Sequence, residues 1–139
     1  MNLRCLFFIC LCFNQFTSKA NDSIPTFMHG KYLDDYGIKY EINEQLWWQK
    51  ENARYHVLSW NQEEQFIVLK NDAHNKSAPS LYTRIDYMRF QKMEPYTWGY
   101  CYTVYNAASD SIARNAPSAD RLNPKKGCNG YPFSRMKAD

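Results

Sequence analysis

Apolar and polar side chains alternate every two residues along most of this chain, and that pattern limits what it can become. Ile38, Tyr40 and Ile42 alternate with Lys39, Glu41 and Asn43, the signature of a strand with one buried face. Phe27 to Leu33 reads as a strand before it. Asp34-Asp35-Tyr36-Gly37 between them has the composition of a tight turn, so the two form a hairpin. Leu46-Trp47-Trp48 opens either a further strand or a plug for one end of a barrel. Arg54 to Trp60 and Gln65 to Lys70 follow, joined by the polar Asn61-Gln62-Glu63-Glu64. Phe66-Ile67-Val68-Leu69 is apolar on both faces, which places it centrally in the sheet.

Beyond the polar loop Asn71 to Ser80, Leu81 to Phe90 forms a long strand. Leu81, Thr83, Ile85 and Tyr87 lie on one face, and Tyr82, Arg84, Asp86 and Met88 on the other. Pro95 breaks the chain, and Tyr96 to Tyr105 is a last, aromatic strand. A single helix is expected over Ala107 to Arg114, capped by Asn106 and stopped by Asn115 to Pro117. The tail reads as irregular, with turns at Asn123-Pro124 and Asn129-Gly130. The predicted fold is mainly β: a small antiparallel β-barrel, or a strongly curved sheet of six or seven strands, with one short helix.

The first twenty residues do not belong to that pattern. Arg4 precedes an apolar run from Cys5 to Phe13, and Ser18-Lys19-Ala20 supplies small residues for cleavage, the layout of a secretory signal. The run is too short to span a bilayer. The expectation is therefore a signal peptide over 1–20, a single β-rich domain over 21–139, and no integral membrane segment after cleavage. An exported chain of this kind resides in the periplasm or is secreted.

Removing the leader takes Arg4 and Lys19 with it, leaving 15 basic against 14 acidic residues. That near balance excludes a nucleic-acid partner recognised by bulk charge. Three of the five cysteines also leave, so Cys101 and Cys128 have one possible pairing, and an oxidising compartment favours the bond. Aromatic residues make up 17% of the chain, too many for a disordered segment.

Several of these stretches, taken together, resemble a group of small exported bacterial proteins of unknown function. They are Asn71-Asp72 with Asn75, Leu81-Tyr82, Arg84-Ile85-Asp86-Tyr87, the aromatic strand holding Cys101, and the closing Gly127-Cys128-Asn129-Gly130-Tyr131-Pro132-Phe133-Ser134. The resemblance implies a bacterial source and export, and carries no activity. A slighter resemblance is to lipocalins: Gly30-Lys31-Tyr32 stands where their Gly-x-Trp opens, and Ile85-Asp86-Tyr87 echoes Thr-Asp-Tyr. It implies an analogy of shape.

Trp98, Tyr100, Tyr102 and Val104 share one face of the last strand. Turned inward, they line a pocket for a small hydrophobic or aromatic ligand or fill the core of a small barrel; turned outward, they stack on sugar rings. Arg84 and Asp86 form either a structural ion pair beside Tyr82 or, through Arg84, a contact for an anionic ligand. Asn71-Asp72-Ala73-His74-Asn75 gathers donor atoms, but Asx turns explain them without a metal, and no cofactor is expected.

His56, with Glu41 or Glu63 in reach, is the equipment of a small ribonuclease-like hydrolase. No recognised catalytic motif accompanies it. The expectation is an exported, non-enzymatic module binding a small apolar or aromatic ligand or a surface partner. The alternatives are a small secreted hydrolase using His56, or a purely structural envelope protein.

Overall fold

The computed structural model describes residues 23–139; the expected signal peptide and its cleavage point lie outside them. Eight antiparallel strands form a closed barrel in simple sequence order. They are β1 (Gly30–Asp34), β2 (Lys39–Ile42), β3 (Leu46–Gln49), β4 (Ala53–Asn61), β5 (Phe66–Asn71), β6 (Tyr82–Arg89), β7 (Trp98–Ala107) and β8 (Ser134–Ala138), with one helix, α1 (Asp110–Arg114), between the last two. The mainly β class, the barrel and the single helix agree with the sequence. The strand count is eight rather than six or seven, because part of the tail is β8. It pairs with both β7 and β1 and closes the barrel.

Local chemistry sets the other boundaries. Asp34 Oδ1 accepts hydrogen bonds from the backbone N–H of Tyr36 and of Ile38, both at 2.9 Å, and Gly37 adopts φ of 82°. These contacts make the β1–β2 turn that the composition signals. Phe27 lies in a 3-10 turn, Thr26–Met28, and β1 starts at Gly30. The plug at that end is this turn and not Trp47-Trp48, which lie in β3. Met28 is fully buried, and the Phe27 ring meets Tyr87 and Trp98 edge-on at 6.1 Å. The helix is shorter than expected because β7 runs on to Ala107; its N-cap is Ser109, whose side chain accepts from the N–H of Ile112.

Two layers of packing result. Inside the barrel, Met28, Tyr32, Tyr40, Ile42, Trp47, Trp60, Ile67, Leu69, Ile85, Tyr87, Trp98, Tyr100 and Met136 form one core. Outside it, Phe66 and Val68 of β5 pack with Ala107 and with Ala113 of α1, while Cys101, Ala119 and Phe133 form a third cluster. Phe66 to Leu69 are therefore buried on both faces, as an unbroken apolar run requires. The Cys101–Cys128 disulfide ties the segment between α1 and β8 onto this outer wall. Among the described residues no helix is long and apolar enough to cross a membrane.

Candidate functional site

Trp98, Tyr100 and Tyr102 all face the lumen of the barrel. Trp47 meets Tyr100 at 5.0 Å and Trp98 at 6.1 Å between ring centroids, and Tyr100 meets Tyr102 at 5.2 Å, all nearly perpendicular. Edge-to-face contacts of this kind fill space efficiently. Val104 does not share their face. Ile85 pairs with Tyr102 while Arg84 pairs with Val104, so Thr103 is an extra residue in β7. That bulge reverses the alternation and turns Val104 outward, against the cluster under α1.

Toward the β1–β2 end the lumen becomes polar. The Tyr40 hydroxyl contacts Asp34 Oδ2 at 2.9 Å and the Tyr100 hydroxyl at 2.6 Å, and Gln49 Nε2 donates to Tyr40 at 3.2 Å. Burial is the main reason that Tyr40, Tyr100 and Tyr102 hold their protons well above the usual phenol range, with neighbouring hydroxyls raising them further. Tyr87 is pushed up to about 12 by burial, partly offset by Arg121. The indole N–H of Trp98 and the hydroxyl of Tyr87 have no hydrogen-bond partner among the described residues.

Arg84 does not share the lumen with that set. It lies on the outer wall, 3% exposed, with its Nε 3.0 Å from Asp86 Oδ2 and its Nη2 3.1 Å from Oδ1. Its remaining donors reach the carbonyls of Arg114 and Ala116 and the Ser118 hydroxyl, and its guanidinium stacks on Phe66. Asp86 also accepts from Arg121 Nη2 at 3.1 Å and from the Thr103 hydroxyl. Every polar group of the pair has a protein partner, the condition under which charges tolerate burial. The sequence brought Arg84 and Asp86 together correctly, but gave no sign that the α1–β8 connection would cover them.

His56 meets a carboxylate, but a different one from either expected. Its Nε2 lies 2.8 Å from Asp72 Oδ2, while His74 Nδ1 lies 3.0 Å from Asp72 Oδ1. Glu41 pairs instead with Lys50 at 3.1 Å. The backbone N–H of His74 also donates to Asp72 Oδ1, and these contacts hold the Asp72 carboxyl well below the usual carboxylate range. Asn75 binds both N–H and carbonyl of Arg54 through its side chain. Here Asx chemistry organises the loop, and among the described residues no group of three or more His, Cys, Asp and Glu is arranged to hold a metal ion. A shallow groove of about 600 Å³ beside it is lined by Trp48, Glu51, Arg54, Asp72, His74 and Asn75.

A second groove, of about 430 Å³, was not anticipated. It is formed where the β1–β2 turn, the β6–β7 loop and the stapled tail meet, by Tyr36, Phe90, Met93, Pro132, Phe133 and their neighbours. Tyr36 is 73% exposed although aromatic. Arg135 at its edge is paired with Asp35 at 2.9 Å. Lys125, also in the lining, has no ion-pair partner among the described residues. Its residues come from three distant stretches, so no local motif foreshadows it. No protein-family model matches this chain, and no curated protein and no solved structure matches it either.

Proposed function

We propose that this protein is an exported, non-enzymatic binding module whose ligand is a small apolar or aromatic molecule carrying one anionic group. The observation that supports this best is the groove of Tyr36, Phe90, Met93, Pro132 and Phe133 with the unpaired Lys125 in its lining. A concave apolar surface with few, well-placed polar groups is the general form of a small-molecule site, and Lys125 supplies a counter-charge that no carboxylate among the described residues pairs with. The lumen suits this role less well, because its rings are in contact with one another. A lipocalin-like role remains an analogy of shape, since a closed eight-stranded barrel hosts many functions.

The probe for this reading is anilinonaphthalene sulfonate, an aromatic body with one anion. Saturable one-to-one binding to the native protein is expected, weakened about tenfold by Lys125→Glu through the lost charge-assisted contact and also weakened by Met93→Asp. Binding indifferent to both changes would refute the groove.

A second reading, a small hydrolase, gains support from the contacts of His56 and His74 with Asp72 beside a groove containing Arg54. Two imidazoles oriented by a carboxylate are suited to acid–base work. RNA cleavage abolished by either His56→Ala or His74→Ala would establish it; no cleavage by the unaltered protein would remove it.

A further inference from the structure

The segment between α1 and β8 folds into a turn held far more firmly than its exposure calls for. The N–H of Asp120 donates to the Gly127 carbonyl at 2.9 Å, those of Lys126 and Gly127 donate to Asn123, and that of Phe133 donates to Pro124. Leu122 N–H donates to Asp120 Oδ1 at 3.0 Å. The packing is close enough that a Cβ on Gly127 would lie 1.9 Å from the Asp120 carbonyl oxygen. Arg121 then anchors the turn to the barrel through Tyr87, Gln65 and Asp86, and Cys128 anchors it through Cys101.

On this rigid base Leu122 is 98% exposed and Tyr131 is 73% exposed. Single exposed apolar residues are common on protein surfaces, and a mobile one would carry no meaning. Here the leucine is fixed in water, and the same turn carries Lys125 and Lys126, neither with an ion-pair partner among the described residues. Of the basic residues after residue 118, Arg121 is paired with Asp86 and Arg135 with Asp35, so Lys125 and Lys126 are the uncompensated charges that this turn presents.

We propose that this turn is a docking surface for an anionic lipid membrane, with Lys125 and Lys126 drawn to the headgroups and Leu122 and Tyr131 entering the interface. The chemistry matches on both counts. Juxtaposed lysines are attracted to anionic leaflets, and an interfacial anchor combines such charge with apolar or aromatic side chains. Rigidity removes the ordering penalty on binding. With two lysines and two apolar residues the attachment is weak and reversible.

Co-sedimentation with vesicles tests this, using the intact disulfide-bonded protein at low salt. Binding is expected to an equal mixture of phosphatidylcholine and phosphatidylglycerol, with none to phosphatidylcholine alone, and with loss at high salt as screening sets in. Lys126→Glu is expected to abolish it, and Leu122→Ser to weaken it by about tenfold, the value of one buried leucine side chain. Both residues are fully on the surface, so unchanged melting temperatures keep the comparison clean, and neither lines the Lys125 groove. Absence of binding to the anionic vesicles overturns the proposal. So does equal binding to both vesicle types, or a preference for polyglutamate that Leu122→Ser leaves untouched, which would assign the turn to an acidic polypeptide.

Discussion

Strand β5, the middle of β6 and the first half of β7 are buried on both sides, and the two sides are held by different chemistry. On the lumen side, Trp47, Trp98 and Tyr100 meet through ring edges and faces. On the outer side, Arg84 and Asp86 sit between β-sheet and cap with their charges satisfied by Arg114, Ala116, Ser118 and Arg121. Ring packing is strong and prefers edge-to-face geometry, but it acts inside the barrel and does not dictate what lies outside it. Hydrogen bonds to a guanidinium are directional, and they fix where the α1–β8 connection must lie. The lumen makes the barrel, and the outer network places the surface features on it.

Equal destabilisation from single truncations, followed by divergence in compensated variants, would sharpen this contrast. Trp98→Ala is expected to cost about 3–5 kcal/mol through the cavity it leaves. Asp86→Ala is expected to cost a similar ~3–5 kcal/mol, because Arg84 is left buried and unpaired. Replacing both charges, as Arg84→Met with Asp86→Leu, should recover most of that loss in urea denaturation while loosening the cap. If Asp86→Ala costs less than about 1 kcal/mol, in the range of exposed pairs, the outer side is not a clamp.

Reduction of Cys101–Cys128 comes next. The bond closes a sequence separation of 27 residues, and in the chain-entropy model it contributes about 3–4 kcal/mol. A clear fall in melting temperature is expected, with faster amide exchange between residues 116 and 133 than in the lumen strands. An unchanged melting temperature would show that Arg84 and Arg121 hold the cap unaided.

Alkaline pH probes the lumen side. Tyr40, Tyr87, Tyr100 and Tyr102 have raised values in the folded state against a reference of 10.0. The folded protein therefore keeps phenolic protons that the unfolded chain releases above that reference. Their contribution to stability is complete below pH 10 and falls as pH rises toward the Tyr87 value of about 12. Denaturation midpoints that stay level from pH 9 to about 12 would contradict the burial of these hydroxyls.

What the sequence revealed follows the range of each interaction. Phe66-Ile67-Val68-Leu69 announced a strand buried on both faces because four adjacent side chains carry the message. Cys101 and Cys128 could be paired because they are the two cysteines outside the expected leader. Val104 was misplaced because the bulge at Thr103 arises from pairing with β6, which alternation within β7 cannot register. Ser134 to Ala138 was taken as irregular because only Met136 in it is buried, and a single apolar residue makes no period. Asp72 was overlooked as the partner of His56 because the contact depends on strand register between β4 and the end of β5. The Lys125 groove needs three separate parts of the chain to meet, so no window of sequence contains it.

Closure through β8 has a consequence for the order of events in folding. Asp35 and Arg135 are 100 residues apart in sequence when they meet across the β1–β2 turn and β8, so the seam is among the last contacts a growing chain can make. Long-range pairing of this kind is intrinsically slow. Until β8 arrives, β1 and β7 are both open edges able to join another molecule. The barrel therefore stays open to intermolecular strand pairing until the residues of β8 are in place.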